Sequence, residues 1–159
     1  MKYHLIVIFL FALFFTQIFS QLFQIPVENT YITSSFGEYR DTGDKPHFHT
    51  GIDFSSFSKE GLPVKSIENG YVYKIWLNEP IYGNTIFIYH PSINKISVYA
   101  HLSSFNNIVK TIAASVKNEF GNSFAEIIFP EKEVLVEKKK LLVILGRVEK
   151  HRCPIYILK

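Results

Sequence analysis

Residues 52–100 constrain the fold more than any other part of the chain. They form a series of short β-prone runs, each closed by turn residues. Gly61-Leu62-Pro63 precedes the run 64–67, and Asn69-Gly70 precedes 71–76. Tyr82-Gly83-Asn84 precedes 85–89, and the turn 91–94 leads into 95–100. Asn-Gly is the dipeptide that a tight hairpin turn favours. The pattern predicts an antiparallel β meander. Upstream, residues 30–36 form another short β-prone run before Gly37, and 38–46 read as a polar, charged loop.

Residues 106–120 break the pattern. Ile108, Ile112, Val116 and Phe120 recur every fourth residue, which predicts one amphipathic helix packed on the sheet. Asn106 or Asn107 can cap its start and Gly121 can end it. Strand character returns at 124–129 and again at 134–137. The fold class expected is therefore mostly β, an antiparallel, barrel-like sheet with one helical insert.

At 159 residues, 47% of them apolar and 16% aromatic, the chain can bury a core and is not composed like a disordered protein. A formal charge of +3, spread along the sequence, suits an anionic surface such as a cell wall and does not suggest a nucleic-acid binder. Residues 1–20 read as a secretory signal: Lys2, then an unbroken apolar run over 5–15, then a more polar stretch ending at Ser20. A membrane span needs about 20 apolar residues, and this run stops near half that. Export to the periplasm, cell envelope or medium is expected, with no stable membrane span after cleavage. Residues 21–30 are a lead-in and 31–159 the folded domain. Cys153 is the single cysteine, so no internal disulfide can form.

The chemistry-bearing stretch is His47-Phe48-His49-Thr50-Gly51-Ile52-Asp53. Catalytic zinc takes imidazole nitrogen and carboxylate oxygen from three protein ligands and keeps one position open. His49 and Asp53 are candidates for two of the three. On a straight strand they would stand roughly 13 Å apart, so the backbone must bend between them, and Gly51 offers the bend. A second stretch, Tyr99-Ala100-His101-Leu102-Ser103, places His101 on a strand, where alternation puts it on the same face as Tyr99.

Together these stretches resemble the lysostaphin- and LytM-type zinc endopeptidases. The likeness runs through Ser34-Ser35-Phe36-Gly37, His47 to Asp53, Pro63-Val64, Asn69-Gly70-Tyr71-Val72, Tyr82-Gly83-Asn84-Thr85-Ile86 and Tyr99 to Ser103, in order, over residues 33–105. The resemblance implies a compact antiparallel β fold with a groove, and hydrolysis of peptide bonds in peptidoglycan. It implies that His49 and Asp53 are zinc ligands and that His101 is a catalytic histidine beside the metal-bound water. His47 and His90 match positions that are not ligands and are expected to be structural or groove-lining.

The family's last motif, His-x-His on a late strand, supplies the third ligand and is absent here. His151-x-Cys153 is the nearest substitute. Zinc is therefore expected to bind weakly or not at all, and the peptidase to be impaired; the alternative is a non-catalytic peptidoglycan-binding or regulatory module. The tail has one further property. Residues 155–159 can be encoded as ATT TAC ATT TTG AAA after a C, and one base earlier the same string reads His-Leu-His-Phe-Glu. Lys140-Leu141-Leu142-Val143 can likewise become Glu-Ile-Ile-Gly. A frameshift near the lysine run 138–140, natural or from sequencing, is the expected origin of the missing ligand.

Overall fold

The computed structural model describes residues 25–41, 45–57, 61–139, 141–145 and 152–158. The expected signal at 1–20 and His151 lie outside them. Twelve strands and one helix follow in order: β1 (Ile32–Ser34), β2 (Tyr39–Arg40), β3 (His47–Phe48), β4 (Ile52–Ser55), β5 (Pro63–Lys65), β6 (Gly70–Glu79), β7 (Gly83–His90), β8 (Lys95–Phe105), α1 (Asn107–Phe120), β9 (Ala125–Ile128), β10 (Leu135–Val136), β11 (Leu141–Leu145) and β12 (Arg152–Leu158).

The main sheet runs β1-β4-β12-β8-β7-β6-β10, every pairing antiparallel and the sheet not closed. β9 adds to β6, while β11 joins the upper half of β8 to β5. β2 and β3 form a separate two-stranded ribbon. Thus part of the stretch expected to be only a polar loop is a strand. The meander β6–β7–β8 holds the core, with Ile75, Ile86, Ile88 and Tyr99 fully buried between its faces and the helix. The mostly β class with one helical insert is what the turn punctuation indicated.

Asn69-Gly70 does not make a hairpin, because β5 and β6 pair with other strands. Gly70 is needed for space: a Cβ there would stand 2.2 Å from the Tyr89 carbonyl oxygen and 2.8 Å from His90 Nδ1. The helix also differs in phase. Val109 and Ala113 enter the core, with Ile112 and Val116 partly buried, while Ile108 and Phe120 are exposed. At 3.6 residues per turn a strict four-residue row drifts about 40° per step, so its ends leave the buried face. Asn106 occupies the N-cap position without a side-chain cap bond, and the Gly121 N–H closes the other end on the Lys117 carbonyl at 2.8 Å.

Candidate functional site

β3 and β4 are separated by His49, Thr50 and Gly51, which carry no strand pairing. The bend there brings His49 Nε2 to 3.2 Å from Asp53 Oδ1, with both side chains buried. Two ligands of tetrahedral zinc, each near 2.0–2.1 Å from the metal, stand about 3.3 Å apart. The pair has the spacing of one edge of such a site.

A polar cluster fixes both side chains. His49 Nδ1 lies 3.1 Å from the Ser35 carbonyl oxygen, which can only accept, and 2.9 Å from Ser34 Oγ. Nδ1 therefore carries a proton, and Nε2 faces Asp53. The Ser34 hydroxyl donates to the Glu38 carboxylate at 2.5 Å and accepts from Arg40 Nη2 at 2.8 Å. The same Arg40 nitrogen donates to Asp53 Oδ2 at 2.6 Å, so one carboxylate oxygen meets the guanidinium and the other meets the imidazole. Arg40 and Glu38 carry no role in the sequence reading, and Ser34 enters it only as part of the motif Ser34-Ser35-Phe36-Gly37. Arg40 reaches Asp53 only because the β2–β3 ribbon folds back over β4, and no spacing rule reports that.

His101 sits in an irregularity of β8. Asn84 pairs with Leu102 and Ile86 with Tyr99, so two residues, Ala100 and His101, oppose Thr85 alone. This bulge breaks the alternation that would have put His101 on the Tyr99 face. His101 takes φ = 55°, left-handed backbone that costs a residue with a Cβ about 1–2 kcal/mol. Burial pushes the His101 pKa below the ordinary histidine value; the negative charges of Asp53 and Glu79 oppose it. His101 thus lies within electrostatic reach of Asp53, and at neutral pH its imidazole is neutral.

The other two histidines with sequence expectations part company. His47 is exposed, with Nδ1 3.0 Å from the Lys45 carbonyl oxygen. His90 is fully buried: Nδ1 donates to the Asn69 carbonyl at 2.9 Å, and Nε2 accepts from Ser97 Oγ at 2.7 Å. Ser97 lies 3.2 Å from the Tyr99 hydroxyl, which in turn accepts from the Ile67 N–H at 3.1 Å.

Among the described residues no group of three His, Cys, Asp or Glu is placed to hold a metal. β12 lies between β4 and β8, with Pro154 opposite Asp53 and Ile155 opposite both Ile52 and Tyr99. Cys153 falls opposite Phe54.

The model of Peptidase family M23 matches residues 47–119, a span that holds His49, Asp53 and His101. No curated protein matches the chain in sequence. Among solved structures it is similar to Helicobacter pylori Csd3 (TM-score 0.58, 23% identity, 87% of this chain and 32% of that one). It is also similar to a chain of the SpoIIIAH–SpoIIQ complex (0.60, 17%, 86% and 92%). A mutant catalytic domain of the prophage-encoded M23 protein EnpA from Enterococcus faecalis is a third (0.53, 17%, 86% and 84%). At these identities the likeness is one of fold, and the chain spans about a third of Csd3. That shared fold is an open antiparallel sheet. Among the described residues no helix is long and apolar enough to cross a membrane.

Proposed function

We propose that this chain is an exported, zinc-endopeptidase-like protein of cell-wall peptidoglycan whose metal centre lacks its third ligand, so that hydrolysis is impaired. The observation that carries the reading is the 3.2 Å convergence of His49 and Asp53, taken with a sequence that lacks the late His-x-His motif. In this reading His49 Nε2 and Asp53 Oδ1 would hold zinc, which when bound supplies Lewis-acid activation of water and carbonyl. Two protein ligands do not complete that site. His101, neutral and aimed by its bulge, would exchange a proton with the reacting groups. The partner is the peptide part of peptidoglycan.

Zinc stoichiometry on the purified protein tests this. Well under one zinc per chain and little chelator-sensitive lysis of cell walls are expected. Strong chelator-sensitive lysis, lost in His101→Ala, would overturn it.

The origin of the defect is read in the gene. β12 is a central strand, yet it carries Pro154, which withholds a ladder N–H and is ordinarily confined to edges and bulges. That local conflict supports the frameshift. The bases under residues 155–159 should spell His-Leu-His-Phe-Glu one base earlier, and restoring that frame should restore zinc binding. Any other bases there end the idea.

One observation favours the non-catalytic alternative. Arg40 already supplies a cation to Asp53, so the carboxylate is balanced without a metal. Retention of the chain on purified cell walls, unchanged by a chelator, is the expected result in that case.

A further inference from the structure

The turn that faces His101 is tied from within by the Glu79 side chain. Glu79 ends β6 and pairs with Gly83, which begins β7, so residues 80–82 form the connecting turn. Its carboxylate folds back over this turn: Oε2 accepts from the Ile81 N–H at 2.7 Å and also from the Tyr82 N–H. The Tyr82 carbonyl, in the next peptide along, accepts from the His101 N–H at 2.8 Å. Gly83 then approaches the histidine directly, since a Cβ there would lie 3.8 Å from His101 Cα and 3.9 Å from its Nδ1. Asn84 closes the base of the turn, accepting from the Asn78 N–H at 3.1 Å and donating to the Leu102 carbonyl at 3.1 Å.

We propose that Glu79 is the positioning residue for His101. Its carboxylate ties the amides of Ile81 and Tyr82, which orients the Tyr82 carbonyl to receive the His101 N–H and so holds His101 in its left-handed conformation at the bulge. A left-handed histidine does not persist unless its surroundings over-determine it. The Tyr82 carbonyl, which also accepts from the Thr85 hydroxyl at 3.2 Å, is one contact that does so. Glu79 fixes the amide side of the same turn, whose tip residue Ile81 is exposed. The Glu79 charge also reaches the imidazole, where it opposes the effect of burial. The relevance to hydrolysis rests on His101 having the proton-transfer role proposed above; the positioning itself does not.

The test uses the zinc-free full chain, so the outcome is independent of whether the protein hydrolyses anything. Native-state amide exchange and the ring signals of His101 are compared in Glu79→Ala, Glu79→Gln and Glu79→Asp. Glutamine keeps an acceptor at the same reach, and aspartate falls one methylene short. Exchange at His101 and Tyr82 should quicken by about tenfold in the alanine variant, the worth of one net hydrogen bond, with Ile88 and Val98 unchanged. The glutamine variant should restore protection at both amides and the parent position of the His101 ring signals. If the alanine chain does not fold, the aspartate variant should show the same selective loss. His101 exchange within twofold of the parent in both shortened variants, or an equal rise across all core amides, would overturn the proposal.

Discussion

His49 and His90 share most of a description. Each is buried, and each turns Nδ1 to a backbone carbonyl, that of Ser35 in one case and Asn69 in the other. The carbonyls place a proton on Nδ1 in both rings and leave Nε2 to face the other way. What faces that nitrogen differs. At His90 it is the Ser97 hydroxyl, which has a proton to give, and the chain from Ile67 N–H through Tyr99 and Ser97 completes itself without any outside group. At His49 it is a carboxylate, held by a guanidinium on its other oxygen. Burial and tautomer therefore do not separate a structural histidine from a metal ligand. The chemistry opposite the second nitrogen does.

The hardest blow to the His49 end is Asp53→Ala. It leaves the Arg40 guanidinium, only 18% exposed, without its carboxylate. Losing one member of such a pair costs about 3–5 kcal/mol. Urea unfolding measures it, and a loss under about 1 kcal/mol would mean the pair is solvated and unlike the His90 network.

The matching blow near His90 is Gly70→Ala, where the new methyl has no room beside the Tyr89 backbone. An overpacked core typically loses about 1–3 kcal/mol, and about 2–3 is expected here because the obstacle is main chain. Ser97→Ala acts on the same network by subtraction. It removes the donor to His90 and the neighbour of the Tyr99 hydroxyl, and should cost about 1–2 kcal/mol of buried hydrogen bonding. Were Ser97→Ala neutral by the same urea assay, the self-contained character of this network would be refuted.

The smallest effect is on pH dependence. Burial holds the His90 pKa below the ordinary value, with Glu68 and the Asn69 backbone partly opposing. The unfolded chain therefore takes up its proton near pH 6.5 while the folded one does not. Stability should be full above that pH and decline as pH falls from 7 towards 5. His101 contributes in the same direction. Glu68, whose carboxyl is lowered by Lys138 and the Asn69 N–H against burial, acts only below its own ordinary value. In His90→Gln the slope measured by urea midpoints should shrink, leaving the share of His101.

Turn residues carried the fold because each short run is bounded locally, and the family motifs lie on those same runs. The misreadings have a common cause. Gly70 was assigned to a turn because Asn-Gly is a local signal, whereas its small size answers to Tyr89 and His90 across the sheet. Alternation cannot be carried through Ala100–His101, because a bulge adds a residue without marking the sequence. The contacts of Arg40, Ser34 and Glu79 are not legible because each acts on a partner that only the folded chain brings near. Distant contacts of this kind leave no periodicity to read.

β12 has a consequence for how the molecule is made. The strand bearing Asp53 joins the strand bearing His101 in the ladder only through β12. During synthesis β4 emerges early and must wait for almost all the following chain before it gains that neighbour. The meander β6–β7–β8 can pair as it appears, since its contacts are local. Closure between Asp53 and Pro154 is among the longest-range pairings in the fold, and such pairings are slow to form. Until then β4 presents a bare hydrogen-bonding edge to other chains. Whatever sequence occupies β12 thus governs the period of aggregation risk after synthesis as well as what stands opposite Asp53.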